Sequence, residues 1–191
     1  MQFNTLLKLG AIGAFLPLLA LADHGGKNNN NDNHDANGSF ESSIVGSVPA
    51  TTVGGVTSGG APWVVASGEA SVSASGKIEV EVRGLLLGPG APANLVGTTG
   101  PVQMVAASLV CGGSGGVVAA STDGVPLSTT GKAEIEAKLS VPATCMAPVV
   151  LVRVWVNTNP PGSQLGPFIA VTGFNMQTGG NGHHEDGDDH E

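Results

Sequence analysis

The sequence predicts an all-β protein: a single antiparallel β-sandwich, immunoglobulin-like or of a related Greek-key type, carried between two disordered tails. Three observations lead there. KIEVEVR (Lys77–Arg83) and KAEIEAKL (Lys132–Leu139) alternate charged and aliphatic residues without a break, which is the period of a half-buried strand. A helix would scatter those charges around its circumference. The other apolar runs are short, and Gly, Pro, Ser and Asn clusters separate them at the intervals a sandwich or barrel needs. Finally, these runs fill a middle segment of about 140 residues, the size of one domain with its own core.

Residues 1–22 read as a secretory signal peptide. One lysine, Lys8, precedes an uncharged apolar stretch, and Ala20-Leu21-Ala22 supplies the small-x-small pattern of a cleavage site. The apolar run is shorter than the roughly 20 residues a membrane span requires, and no apolar run follows at the C-terminus to signal a lipid anchor. Residues 23–38 (DHGGKNNNNDNHDANG) and 179–191 (GGNGHHEDGDDHE) hold no apolar side chain larger than alanine. Such segments bury too little surface to offset their ordering entropy and are predicted to be disordered.

Residues 39–178 form the predicted β-domain. Besides the two alternating segments, strands are expected at Ser43–Val48, Trp63–Ala70, Val102–Val110, Val117–Ala120, Val149–Val156 and Phe168–Thr172. VVLVRVWV begins apolar on both faces, which places it in the middle of a sheet. VSASGKIEVEVRG and LSTTGKAEIEAKL align without gaps at an offset of 55 residues. Two hairpins obeying the same turn and surface rules account for this echo more simply than duplicated half-domains do.

Cys111 and Cys145 are the chain's two cysteines, and an even count in an exported protein predicts a disulfide. A nucleophilic thiol would need a neighbouring base or positive charge, and no histidine lies between Phe40 and Gln177. The same lack disposes of GGSGG (Gly112–Gly116), which formally matches a nucleophile elbow around Ser114 but requires a following helix and a histidine. It reads as a hairpin loop.

The pairs Glu79/Glu81 and Glu134/Glu136 place carboxylates about 6.5 to 7 Å apart on one strand face. Glycosidases use pairs at comparable spacing, one acid protonated and one ionised. Here Lys77 and Arg83, or Lys132 and Lys138, flank each pair on the same face. Such neighbours keep both acids charged and describe a solvated ladder. By strand parity Trp155 shares a face with Arg153 and Asn157, the arrangement of a sugar-stacking platform, although a core position is commoner for tryptophan.

A formal charge of −8, which becomes −9 once Lys8 leaves with the signal peptide, and the lack of any basic cluster disfavour nucleic acid and anionic membranes as partners. All five histidines, His24, His34, His183, His184 and His190, lie in the tails among carboxylates and amides. Imidazole with carboxylate suits Zn²⁺ or Cu²⁺, so the tails are the place for metal, if any; the domain itself requires no cofactor. Asn37-Gly38-Ser39 is an N-glycosylation sequon that matters if the source is eukaryotic. The expectation is a small secreted, non-enzymatic protein, extracellular or at the cell surface, acting by binding or structure on an extracellular ligand or surface. Metal binding by the tails is the alternative reading, and a hydrolase with an unrecognised carboxylate site ranks third.

Overall fold

The computed structural model describes residues 38–156 and 165–173. The predicted signal peptide, nearly all of both predicted tails, all five histidines and Asn37 lie outside the described residues. Thirteen strands follow in order: β1 Phe40–Gly46, β2 Thr52–Val53, β3 Val56–Thr57, β4 Trp63–Val64, β5 Ser67–Val72, β6 Lys77–Arg83, β7 Leu86–Leu87, β8 Met104–Cys111, β9 Val117–Ser121, β10 Val125–Pro126, β11 Ala133–Lys138, β12 Val149–Trp155 and β13 Leu165–Thr172. All strand pairings are antiparallel, and the described residues contain no α-helix.

Nine strands join into one strongly curled sheet, a half-barrel, in the order β10-β8-β12-β13-β1-β5-β6-β11, with β9 also paired to β8. The curl turns on β1. Its first half, Phe40–Ser43, pairs with β5, and its second half, Ile44–Gly46, pairs with β13. Gly46 permits the bend, because a side chain there would drive into the backbone carbonyl of Trp63. Within the curl, Ile78, Val80 and Val82 of β6 and Ile135 of β11 face Val105 and Leu109 of β8 and Val150 and Val152 of β12 in one core. β-branched residues dominate it, as their fit to a pleated, half-buried surface predicts.

VVLVRVWV does run mid-sheet, with β8 on one side and β13 on the other. Its second apolar face also has a partner. Val110, Leu151 and Phe168 form a smaller cluster with Val53, supplied by the β2–β3 hairpin folded over that side. This is why β8, Met104–Cys111, is buried on both faces from Val105 through Val110.

The expected strand Trp63–Ala70 is two strands. Trp63 and Val64 pair with Leu87 and Leu86, whereas Ser67–Val72 pairs with β6. The chain bends at Val65-Ala66, where the Ala66 N–H donates to the Arg83 carbonyl, 3.0 Å. The five shortest strands, β2, β3, β4, β7 and β10, are two-residue pairings whose existence depends on a partner and leaves no periodic trace.

GGSGG closes the β8–β9 turn as a single 3-10 turn, with Gly112 at φ 100° and Gly113 at φ 69°, a region only glycine enters without strain. Cys111, the last residue of β8, is bonded to Cys145, with Cα atoms 4.9 Å apart. Cys145 belongs to the loop between β11 and β12. Gly112 and Gly113 N–H groups donate to the carbonyls of Met146 and Ala147 at 2.7 and 3.0 Å, so the disulfide and two hydrogen bonds strap this loop to the sheet.

Candidate functional site

The echoed segments find each other. β6 and β11 are neighbours, and Val80 stands directly opposite Ile135, the residue 55 positions later that is its own counterpart in the repeat. The turns that feed the two strands are built alike. Ser73 N–H donates to the Lys77 carbonyl, and the Ser73 hydroxyl accepts from the Lys77 N–H at 3.0 Å; Gly76, at φ 87°, closes the turn onto Ser73. Ser128, Lys132 and Gly131, at φ 74°, repeat every one of these bonds. The two halves thus meet about a local two-fold axis.

That symmetry decides the electrostatics. Each strand carries its charges in the order basic, acidic, acidic, basic. Antiparallel pairing about the centre of a palindrome sets like against like: Lys77 faces Lys138, Glu79 faces Glu136 and Glu81 faces Glu134. β5 and β1 extend the pattern. One row across the four strands reads Glu41, Ser71, Glu79, Glu136, and the next reads Ser43, Glu69, Glu81, Glu134. Six of the eight grid positions are carboxylates and the other two are serines. With strands about 4.8 Å apart and same-face residues about 6.5 to 7 Å apart along each strand, the outer face is a regular acidic array. It floors an open depression of about 340 Å³.

Counter-charge sits mainly at one end of the rows. Lys77 Nζ reaches Glu79 Oε1 at 2.7 Å and Glu136 Oε1 at 3.2 Å, and Arg83 reaches Glu81 Oε1 at 2.6 Å. Among the described residues Glu134 has no cation within 4.0 Å. The Glu69 carboxyl is held above its ordinary range, first by its hydrogen bond to the Glu41 carboxyl and then by the charges of Glu41 and Glu81. Glu79 moves the other way, drawn down by its hydrogen bond and attraction to Lys77. These groups are exposed to solvent, which softens the effects.

The predicted ladder is therefore present, with a closer packing of acids than either strand implies alone. Glu41 and Glu69 were not distinguishable in the sequence as members of it. Their alternation, FESS and GEAS, is a weak signal, and only pairing brings them beside Glu79 and Glu81. No group of three or more His, Cys, Asp or Glu side chains among the described residues is arranged to hold a metal ion. The tail histidines proposed as ligands lie outside the described residues.

Ten of the twelve charged side chains among the described residues lie on the β1/β5/β6/β11 half or its turns; the exceptions are Asp123 and Arg153. Arg153 braces irregular pairing between β12 and β13, donating from Nε to the Gly166 carbonyl at 2.8 Å and from an η-nitrogen to the Leu165 carbonyl at 3.1 Å. Partial burial lowers its pKa from the ordinary value. Trp155 is half-buried, its indole lying against Gly124, where any side chain would collide with the ring. It is neither a deep core residue nor a free platform, whereas Trp63 is 6% exposed and belongs to the core.

No protein-family model, curated protein or solved structure matches this chain.

Proposed function

We propose that the chain is an exported, non-enzymatic protein that works outside the cell or at its surface by binding, with the carboxylate grid as its contact face for an extended cationic partner. One observation carries this reading: Glu69, Glu81 and Glu134 stand directly opposite one another across three adjacent strands. Like charges placed opposite each other weaken a sheet. A local rule broken repeatedly on one face, with incomplete compensation, is the pattern expected where a surface serves a partner. The spacing favours a partner with several cationic groups over a single ion, since the carboxylates are spread along two rows and no three of them are grouped to hold one ion. We read the curled sheet as sandwich-like, with β1 crossing between its two layers, which would leave the grid outward and rigidly spaced.

A lysine oligomer of about ten residues, titrated calorimetrically into the full chain at low salt, tests the reading. The chain with Glu69, Glu81, Glu134 and Glu136 all changed to Gln is expected to bind about tenfold more weakly, a loss of about 1.4 kcal/mol. Deletion of residues 179–191 is expected to have the smaller effect. Binding that ignores the Gln substitutions and vanishes with the tail would move the contact to the tail and overturn the proposal.

A further inference from the structure

The strap that carries Cys145 does more than close a loop. Together with the starts of β1 and the end of β5, it surrounds a second concavity of about 380 Å³ at one end of the half-barrel. Val72 and Leu109, 6% and 0% exposed, belong to its lining and also to the main core. Phe40 lines it as well, as do Val141, Pro142 and Cys145 of the strap. The pocket is therefore a depression at the mouth of the curl, floored by the closed core, the kind of place where β-folds commonly take ligands.

We infer that this mouth is a binding site for a small, uncharged, apolar molecule. Its lining gives the class. No described lining residue is ionisable, although the same sheet carries six carboxylates on its outer grid. The polar side chains present are serine hydroxyls, and that of Ser73 is already used by the Lys77 N–H and by Ser75. A charged ligand would lose its hydration and gain no counter-charge here, while an apolar one gains by leaving water.

Size gives the rest. The volume falls at the lower end of the range for small-molecule pockets, about 300 to 1,000 Å³. Twelve described residues line it, against the roughly 20 to 30 on each side of a standard protein interface. The wall is set in advance, because the disulfide, the Gly112–Met146 and Gly113–Ala147 bonds and the Leu139 N–H to Gly76 carbonyl bond, 2.8 Å, fix the strap at both ends. A preformed wall spares the ligand the cost of ordering it.

A rival occupant is the chain itself. The Gly173 N–H donates to the Ser43 carbonyl at 2.9 Å, three residues along β1 from Phe40, and FNMQT (residues 174–178) follows.

The test uses N-phenyl-1-naphthylamine, a neutral probe that fluoresces in apolar surroundings, titrated into the full chain. Saturable binding at one site per chain is expected. Ala143→Trp and Ala74→Phe, each at an exposed lining position, should weaken it at least about tenfold while leaving the urea midpoint unchanged. The inference is overturned if the full chain shows no saturable binding or if neither substitution affects it. Binding that appears only after truncation behind Gly173 overturns it too, since the chain's own residues would then own the site. None of these outcomes bears on the acidic face, whose variants leave the mouth untouched.

Discussion

Glu81 of β6 stands directly opposite Glu134 of β11, with Glu69 of β5 on its other side. Among the described residues only Glu81 of the three has a cation in contact, Arg83. The local two-fold relation between the echoed strands enforces this, because a palindromic charge order paired about its centre can only set acid against acid.

Relieving that opposition should stabilise the fold. Glu134→Gln is expected to raise the urea midpoint slightly with an unchanged slope, since packing is untouched. Glu81→Gln removes repulsion and the Arg83 pair together and should gain less. A lower midpoint for Glu134→Gln would show that the row is already neutralised.

The grid should also give stability a pH dependence of two signs. The folded pKa of Glu69 lies above the ordinary value of 4.5, first because of Glu41 and also because of Glu81. The folded state therefore binds more protons than the unfolded one between 4.5 and the raised value. This group's contribution is accordingly lost as pH rises through that window and regained as pH falls. The folded pKa of Glu79 lies below 4.5 because of Lys77. Its contribution is present above 4.5 and is lost as pH falls through the folded value. Urea midpoints measured across acidic pH should thus lose their upper feature in Glu69→Gln and their lower feature in Glu79→Gln. Identical profiles for both variants and the parent would contradict this.

The cross-link between Cys111 and Cys145 closes a separation of 34 residues. Reduction with a dithiol is expected to cost roughly 3 to 4 kcal/mol by the loop-entropy relation. Denaturant unfolding with and without reductant measures it. A much smaller loss would mean that backbone hydrogen bonds at Gly112 and Gly113 hold the strap unaided.

The two turn glycines, Gly76 and Gly131, are predicted to be far less tolerant than a positive-φ glycine in open space such as Gly55. A β-carbon at Gly131 would meet the Leu85 backbone nitrogen at 2.5 Å, whereas one at Gly55, φ 75°, meets nothing within 4 Å. Gly55→Ala should cost about 1 to 2 kcal/mol for the left-handed backbone alone. Gly131→Ala should cost clearly more, because the strand must also move. Equal losses in thermal or urea unfolding would refute the difference.

Several features are legible in the residues alone. KIEVEVR and KAEIEAKL declare their strands and their outward charges, since a period of two admits no other regular structure. VVLVRVWV declares a central strand because both its faces are apolar. Cys111 and Cys145 have only each other to pair with. The division of Trp63–Ala70 into two strands is not written there, and neither are the two-residue strands, because a bend or a short pairing depends on what lies alongside.

The grid shows the same boundary most clearly. By itself the sequence determined which residues on each strand face outward and that each strand carries a basic-acidic-acidic-basic order. Only the tertiary structure decided that the two orders lie side by side about a common centre, with Glu69 and Glu41 continuing the rows. Likewise it decided that Cys145 and Leu109 line one pocket. The reason is physical: alternation is fixed by the local geometry of one strand, while register and neighbours are fixed by contacts between segments tens of residues apart.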